Sequence, residues 1–122
     1  MNGNKYLADT NILIQINKGL ESAIPYLDNQ LTVSFITEIE LLGSLNIPKT
    51  IKLQFKEMLD DCFIIDLDKK IKQQTINLRN NYKLKIPDAV IAATAIVYKL
   101  PLLTSDSDFK SIKELELVFV EY

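Results

Sequence analysis

Short apolar runs alternate with longer segments of helical periodicity along this chain, and this alternation constrains its fold more than any other feature. Strands that are separated by helices form parallel sheets, because a parallel pair needs a long crossover connection and a helix supplies it. Helices then cover both faces of the sheet. The pattern predicts an α/β fold with one domain over residues 1–122, built as a three-layer α/β/α sandwich around a central parallel sheet of about five strands.

The bounds of the elements are predicted from apolar periodicity and from residues that begin or end helices. The predicted strands are Tyr6–Ala8, Leu31–Ile36, Cys62–Asp66, Leu102–Thr104 and Leu115–Val120. The predicted helices are Asn11–Asn17, Ser22–Asp28, one that starts within Glu38–Leu42, Lys49–Asp60, Lys69–Lys83 and Pro87–Lys99. Gly43 is expected to end the third helix with a left-handed cap. The alanines of the last helix predict that it packs closely against the sheet.

The composition excludes several kinds of chemistry. The chain has no histidine, one cysteine and three glycines. Histidine-dependent hydrolysis and glycine-rich phosphate loops are therefore excluded, and zinc sites nearly so. The lone Cys62 has no internal disulfide partner, which favours a reducing cytoplasm, and no apolar run approaches the length of a membrane span. The net charge of −2 lacks the overall basic character that marks many nucleic-acid-binding proteins.

Four acidic residues fall where the predicted elements meet one edge of the sheet. Asp9, Glu40 and Asp106 follow predicted strands, and Asp88 opens a helix. Because the carboxyl ends of parallel strands share one edge, we expect these side chains to converge there. Converging carboxylates repel one another unless a cation lies between them. A divalent cation in such a site promotes phosphodiester hydrolysis, since it activates water and neutralises charge in the transition state.

Each acid also has an ordinary structural explanation, which the sequence leaves open. Asp9 is placed to cap the following helix, and Thr37 with Glu40 fits the S/T-x-x-E capping box. That spacing also selects Glu40 over the neighbouring Glu38. The other acids suit a first helical turn or a loop turn. These explanations do not account for the gathering of several acids at one edge.

Four segments of the chain resemble the signature segments of the PIN-domain family. They are ADTNILI, ITEIELLG, PDAVIAATA and LLTSDSDF, which occur in the family's order and span positions 8–109. The likeness is greatest to the small single-domain toxins of VapBC-type toxin–antitoxin modules. Thr104 matches the polar residue before the last acid, Asn11 the position that supports the first, and Asp108 falls where many members carry a further acid. The positions that match the family's catalytic, metal-binding acids are Asp9, Glu40, Asp88 and Asp106.

The resemblance implies an endoribonuclease that depends on Mg²⁺ or Mn²⁺ and acts as the toxin of a type II toxin–antitoxin module. It also implies an RNA substrate, a cognate antitoxin protein and a homodimer, with no membrane. A catalytically idle PIN-like interaction module and a housekeeping RNA-processing nuclease stay open as alternatives. An idle copy would be free to lose an acid, and the full set argues against it. Receiver domains and haloacid-dehalogenase phosphatases are excluded, because Asp9 begins neither an acid pair nor a D-x-D motif.

Three basic residues of the predicted helix Lys69–Lys83 are candidates to bind an RNA backbone. Lys72, Arg79 and Lys83 are spaced by seven and four residues, which places them on one stripe of a helix. An acidic cleft that binds RNA needs such positive charge nearby. A solvated helix face is the commoner reason for a charged stripe, so both explanations stay open.

Overall fold

Five parallel strands form one sheet in the computed structural model, which describes residues 5–20 and 30–121. The strands are β1 (Lys5–Ala8), β2 (Gln30–Ser34), β3 (Phe63–Ile65), β4 (Leu102–Thr104) and β5 (Leu117–Phe119). Their order across the sheet is β3-β2-β1-β4-β5, and every neighbouring pair is parallel. The predicted parallel sheet is confirmed, with β3 and β5 shorter than predicted.

The strand order reverses between β1 and β4. From β1 the chain adds β2 and β3 on one side, and it then crosses to the other side for β4 and β5. β1 and β4 are direct neighbours, with Leu7 opposite Leu102 and Ala8 opposite Leu103. In open α/β sheets, ligands bind in the crevice at the carboxyl ends of the strands where the order reverses. The topology therefore places a crevice just beyond Ala8 and Thr104.

Helices cover both faces of the sheet. The α-helices of the described ranges are α1 (Thr10–Asn17), α2 (Phe35–Leu42), α3 (Lys49–Asp60), α4 (Lys69–Asn81) and α5 (Ile86–Tyr98). Successive strand residues point to opposite faces. Leu7 and Leu102 accordingly join one core cluster, with side chains from α4 and α5, whereas Ala8 and Leu103 join a second one, with side chains from α1 and α3. The three-layer α/β/α sandwich is confirmed.

The small residues of α5 lie where they were expected. Ala89, Ala92, Ala93 and Ala95 are at most 1% exposed and belong to the core cluster that contains Leu7 and Leu102. Close packing of α5 fixes the position of its first turn relative to the sheet, and that turn carries Asp88. None of the helices in residues 5–20 and 30–121 is both long and apolar enough to cross a membrane.

The predicted boundary between the second strand and its helix is wrong. β2 ends at Ser34 and α2 begins at Phe35, not at Glu38. The Ser34 hydroxyl accepts a hydrogen bond from the Ile36 backbone N–H and so caps the helix. Thr37 therefore lies inside α2 and is not its capping residue. The predicted capping box of Thr37 and Glu40 does not form.

The predicted left-handed cap at Gly43 is also wrong, because its φ is −100°. A Cβ atom at this position would lie 2.6 Å from the Ile39 carbonyl oxygen. Glycine is thus required here for a close approach of backbone to backbone, as the Gly43 N–H donates to that oxygen at 2.7 Å. The left-handed cap lies instead at Lys99, with a φ of 55°, where α5 ends.

Helix α4 ends at Asn81, two residues earlier than predicted. Tyr82 takes an extended conformation, and its hydroxyl donates to Glu114 Oε1 at 2.6 Å and accepts from the Lys113 N–H. These contacts hold Tyr82 away from the helical path, so Lys83 lies in the loop before α5. The predicted helix Ser22–Asp28 lies outside the described residues.

Candidate metal centre and substrate cleft

The first acid, Asp9, lies in the crevice between β1 and β4 and is only 5% exposed. Its Oδ1 accepts a hydrogen bond from the Thr10 N–H, and its Oδ2 accepts one from the Thr104 hydroxyl, each at 2.8 Å. The pKa of Asp9 is raised to about 6, mainly by burial and to a smaller extent by the charges of Asp88 and Asp106, while both hydrogen bonds act in the opposite direction. Asp9 is therefore harder to ionise than an exposed aspartate.

The Thr104 hydroxyl connects two of the acids. It is fully buried, donates to Asp9 and accepts the Asp106 backbone N–H at 3.0 Å. Thr104 thereby fixes the loop after β4 relative to the end of β1. Asp9 and Asp106 also cap the elements that follow them: Asp9 caps α1, and Asp106 Oδ1 accepts the Asp108 N–H at 2.9 Å at the start of a 3₁₀ helix, Ser107–Ser111. Asp9 and Asp106 therefore cap the helices that follow them and also belong to the cluster of acids, so the two explanations are compatible.

Asp88, Asp106 and Asp108 form the tightest group of acids. Each offers a carboxylate oxygen, and the three oxygens lie within 4.8 Å of one another. Burial is the main reason that the pKa of Asp88 is raised, followed by the charges of Asp106, Glu40 and Asp108, with Lys85 acting in the opposite direction. The three oxygens suit a hard divalent cation. Asp108, expected only to support the site, lies in this group, whereas Asp9 and Glu40 lie beside it.

Glu40 reaches the same crevice from α2. Its Oε1 accepts the Thr10 hydroxyl proton at 2.7 Å, and Thr10 Oγ1 lies 2.9 Å from Thr37 Oγ1. Because a hydroxyl has one proton, Thr37 is the donor in the second bond. Thr37 therefore holds Thr10, and Thr10 holds Glu40. The choice of Glu40 over Glu38 agrees with its place in the crevice, although the capping argument that led to it fails.

Two adjoining cavities meet at Asp88 and Asp106. The first, which we call the inner cleft, has a volume of about 310 Å³, and the second, the outer cleft, about 730 Å³. All four predicted catalytic acids line the inner cleft, together with Asn11, Ile14, Leu41 and Ile47. Besides Asp88 and Asp106, the outer cleft is lined by Asp108, Ser111, Arg79, Lys83 and Lys85.

Two of the three predicted RNA-binding residues line the outer cleft. Arg79 comes from the last turn of α4 and Lys83 from the following loop, so a bend of the chain brings them together rather than one helix stripe. The Arg79 Nε–H donates to the Leu84 carbonyl at 3.2 Å, which ties the side chain to that loop. Lys72 does not line the cleft, and the predicted stripe is wrong in this respect. Lys85 was missed, because nothing in its spacing links it to the stripe.

Asn11 and Gln15 of α1 differ from what their sequence positions indicate. Asn11 is exposed at the inner cleft and its side chain forms no hydrogen bond with the rest of the described chain, so a supporting contact with Asp9 is not seen. Gln15 was not predicted. It is 3% exposed, its Nε2 donates to Ser105 Oγ at 2.8 Å, and its Oε1 has no partner in the described part of the chain. A glutamine within the apolar run ILIQI was the signal that could have identified it.

Known proteins give an independent view of this arrangement. The family model of the PIN domain matches residues 6–115. A chain of a toxin–antitoxin complex from Klebsiella pneumoniae is 34% identical, with a TM-score of 0.79 over 93% of this chain and 95% of that chain. A chain of VapBC2 from Rickettsia felis, bound to a DNA fragment from its promoter, is 25% identical, with a TM-score of 0.83 over 96% and 99%.

VapBC-5 from Mycobacterium tuberculosis shares the fold, with 21% identity and a TM-score of 0.78 over 95% of this chain and 98% of that chain. No curated protein matches the chain. The family match contains all four segments that carry the predicted acids and leaves out only residues 1–5 and 116–122. This chain belongs to the PIN-domain family, and its resemblance to the VapC-type members is matched by the VapBC complexes among its structural neighbours.

Proposed function

We propose that this protein is an endoribonuclease that requires Mg²⁺ or Mn²⁺ and acts as the toxin of a type II toxin–antitoxin module. The observation that carries the proposal is the group formed by Asp88, Asp106 and Asp108, whose carboxylate oxygens lie within 4.8 Å of one another at the strand-order reversal. Asp9 and Glu40 line the adjoining cleft. No histidine exists to serve as a base, so the chemistry depends on carboxylates.

The donor set fits a hard cation, because all three groups offer carboxylate oxygens and no sulfur or imidazole nitrogen is near. Asp88, Asp106 and Asp108 would hold the ion, with Asp9 and Glu40 available on the inner side. A divalent cation bound there would activate water and neutralise charge that develops on a phosphodiester. Thr104 and Thr10 hold Asp9 and Glu40 in place through hydrogen bonds of 2.8 and 2.7 Å.

The outer cleft supports binding of a phosphate backbone. Arg79, Lys83 and Lys85 place three positive charges beside the acids, although the chain as a whole has a net charge of −2. Phosphates bound by these side chains would bring the scissile bond to the edge of the acidic group. Basic residues gathered at one place are sufficient for such contacts, and an overall basic protein is not required.

The toxin role and its partners are supported by the neighbours, which are described as toxin–antitoxin complexes. By analogy, this chain would bind a cognate antitoxin protein and form a homodimer in the cytoplasm. Expression of the chain alone is expected to arrest growth, and co-expression of an adjacent partner should relieve the arrest. Normal growth with abundant soluble protein would instead favour a housekeeping nuclease or an idle module.

The direct test uses the purified chain, free of any partner, and a mixed pool of cellular RNA. Cleavage is expected with Mg²⁺ or Mn²⁺ and is expected to stop in excess EDTA. Asp88→Asn is the inactive control, because any cleavage that survives this change comes from a contaminating nuclease. Undiminished cleavage in EDTA by the wild type alone would rule out the metal mechanism.

A further inference from the structure

The outer cleft has two walls of opposite charge, which come from different parts of the fold. The basic wall comes from the end of α4 and the connection to α5, with Arg79, Lys83 and Lys85. The acidic wall comes from the connection between β4 and β5, with Asp106 and Asp108. A phosphate at the basic wall reaches a cation at the acidic wall only if the walls keep one separation. That separation therefore matters for any reaction in the cleft.

Each wall is held internally by its own hydrogen bonds. In the basic wall, the Arg79 Nε–H donates to the Leu84 carbonyl at 3.2 Å. In the acidic wall, the Asp106 N–H donates to the Thr104 hydroxyl, and Asp106 Oδ1 accepts the Asp108 N–H. These bonds fix the shape of each wall, but none of them crosses from one wall to the other.

Tyr82 supplies the hydrogen bonds that join the two connections. Its hydroxyl donates to Glu114 Oε1 at 2.6 Å and accepts from the Lys113 N–H at 3.2 Å. Tyr82 belongs to the α4–α5 connection, residues 82–85, and its two partners belong to the β4–β5 connection, residues 105–116. Among the described residues, no other hydrogen bond runs between these connections. The short bond to the Glu114 carboxylate is charge-assisted, and such bonds are among the stronger ones in proteins.

The Tyr82 hydroxyl lies behind the cleft and not in it. Neither Tyr82 nor Glu114 lines the outer cleft. The Tyr82 side chain packs against a core cluster with members from both connections, which include Leu84, Phe109 and Ile112. Phenylalanine at this position would keep that packing and lose only the two hydrogen bonds.

We propose that Tyr82 is a positioning residue that sets the separation between the basic and acidic walls of the outer cleft. The proposal rests on the proposed function and adds to it a residue that does not touch the substrate. Because each wall is held without the Tyr82 hydroxyl, RNA alone and a divalent cation alone should bind equally well when it is removed. The hydroxyl acts on the state in which both are bound, so it should contribute to cooperativity between RNA and cation.

The test uses a short oligoribonucleotide and Ca²⁺, which takes the same oxygen ligands as Mg²⁺. Three affinities are measured: that for the RNA in EDTA, that for Ca²⁺ without RNA, and that for the RNA in saturating Ca²⁺. Tyr82→Phe is expected to leave the first two within about twofold of the wild type and to lower the third by about fivefold or more. The rate of cleavage in Mg²⁺ at saturating RNA should fall by on the order of tenfold, since a displacement of about 1 Å can cost about a hundredfold.

Tyr98→Phe is the matched control, because the Tyr98 hydroxyl also donates to an acid, Asp68, at 3.2 Å, but lines neither cleft. Glu114→Ala removes the acceptor and should resemble Tyr82→Phe. Glu114→Gln keeps an acceptor and should retain most of the wild-type cooperativity and rate. Tyr82→Phe and Glu114→Ala together should lower both quantities no further than Tyr82→Phe alone, because they delete the same bond.

Equal cooperativity and equal cleavage rates in Tyr82→Phe, Tyr98→Phe and the wild type would overturn the positioning role. So would a Tyr82→Phe protein that loses affinity for RNA alone or Ca²⁺ alone, because the hydroxyl would then support a single wall. Loss of cooperativity in Tyr82→Phe, with no cleavage by the wild type in Mg²⁺ or Mn²⁺, would retain the positioning role and overturn the nuclease. Absence of RNA binding by the wild type would overturn both proposals.

Discussion

Asp9 and the group of Asp88, Asp106 and Asp108 lie in one crevice but in opposite environments. Asp9 is buried, and both of its oxygens accept hydrogen bonds that the fold supplies. The other three acids are half-buried or exposed, and their oxygens crowd one another. Asp9 is thus held in place before any ligand binds, whereas the other three acids repel one another.

This difference indicates a division of roles within the site. An acid with both oxygens occupied contributes most by positioning and by its charge, and Thr104 transmits its position to Asp106. Acids that repel one another gain most from a cation. We therefore expect substitutions in the group of Asp88, Asp106 and Asp108 to act mainly on metal binding and cleavage. Substitutions at Asp9 should act on the stability of the metal-free protein.

The largest effect is expected at Asp88 and Asp106. Asp88→Asn or Asp106→Asn should lower cleavage by on the order of a thousandfold, which corresponds to about 4 kcal/mol. In EDTA each variant should melt at a higher temperature than the wild type, because one repelling charge is gone. The rise in melting temperature that Mg²⁺ gives the wild type should shrink in both.

Asp66→Asn is the control for these melts, since Asp66 is an exposed acid that lines neither cleft. If Asp88 only interacted with the dipole of α5, Asp88→Asn would instead melt at a lower temperature in EDTA. Its free energy of unfolding would fall by a few tenths to about 1 kcal/mol. That result, with a wild type whose melting temperature is indifferent to Mg²⁺, would mean that the acids are caps.

The positions of the acids that follow strands could be predicted from the sequence. Asp9 directly follows β1, and Asp106 lies two residues after the end of β4, so the parallel sheet alone brings them to one edge. Asp108 could not be ranked, because its place in the group depends on the 3₁₀ turn that Asp106 caps, and no apolar period marks such a turn. Arg79 and Lys83 were chosen for a helix stripe but are joined by a loop that Tyr82 redirects through Glu114, a contact far apart in sequence.

The next effect concerns the pH dependence at Asp9. Its pKa of about 6 in the folded protein exceeds the ordinary value of 3.8, so the folded state binds this proton more tightly than the unfolded state. The free energy of unfolding of the metal-free protein should therefore fall as pH rises from about 4 to about 6, by about 2 kcal/mol. Denaturant melts of wild type and Asp9→Asn in EDTA isolate this contribution as their difference. A difference that does not vary over this range would contradict it.

A smaller effect is expected at the basic residues. Arg79→Gln and Lys83→Gln should each weaken RNA binding and reduce the slope of log affinity against log salt by about 0.7, the value for one contact with a single strand. Lys72→Gln is the matched control, because Lys72 lies on the same helix as Arg79 but outside the cleft. Equal slopes for all three variants and the wild type would mean that these side chains are solvated and do not contact RNA phosphates.

The smallest effect separates stability from function at Gln15. Its buried Oε1 has no partner in the described part of the chain, and an unsatisfied buried polar atom costs about 1–3 kcal/mol. Gln15→Leu removes that cost and should leave stability unchanged or raise it by about 1 kcal/mol. The same change deletes the hydrogen bond to Ser105, which adjoins Thr104 and Asp106, so Mg²⁺ affinity should fall severalfold.

Ser105→Ala deletes the bond from its other end, but it leaves both polar atoms of the Gln15 amide unpaired. It should therefore lower Mg²⁺ affinity similarly while also lowering stability by about 1 kcal/mol. Thermal melts in EDTA and titrations with Mg²⁺ measure both quantities for both variants. If Mg²⁺ affinity stays at the wild-type value in both, Gln15 does not position the loop that carries Asp106. If Gln15→Leu loses stability, the Gln15 amide stabilises the fold, and its unpaired oxygen carries no net cost.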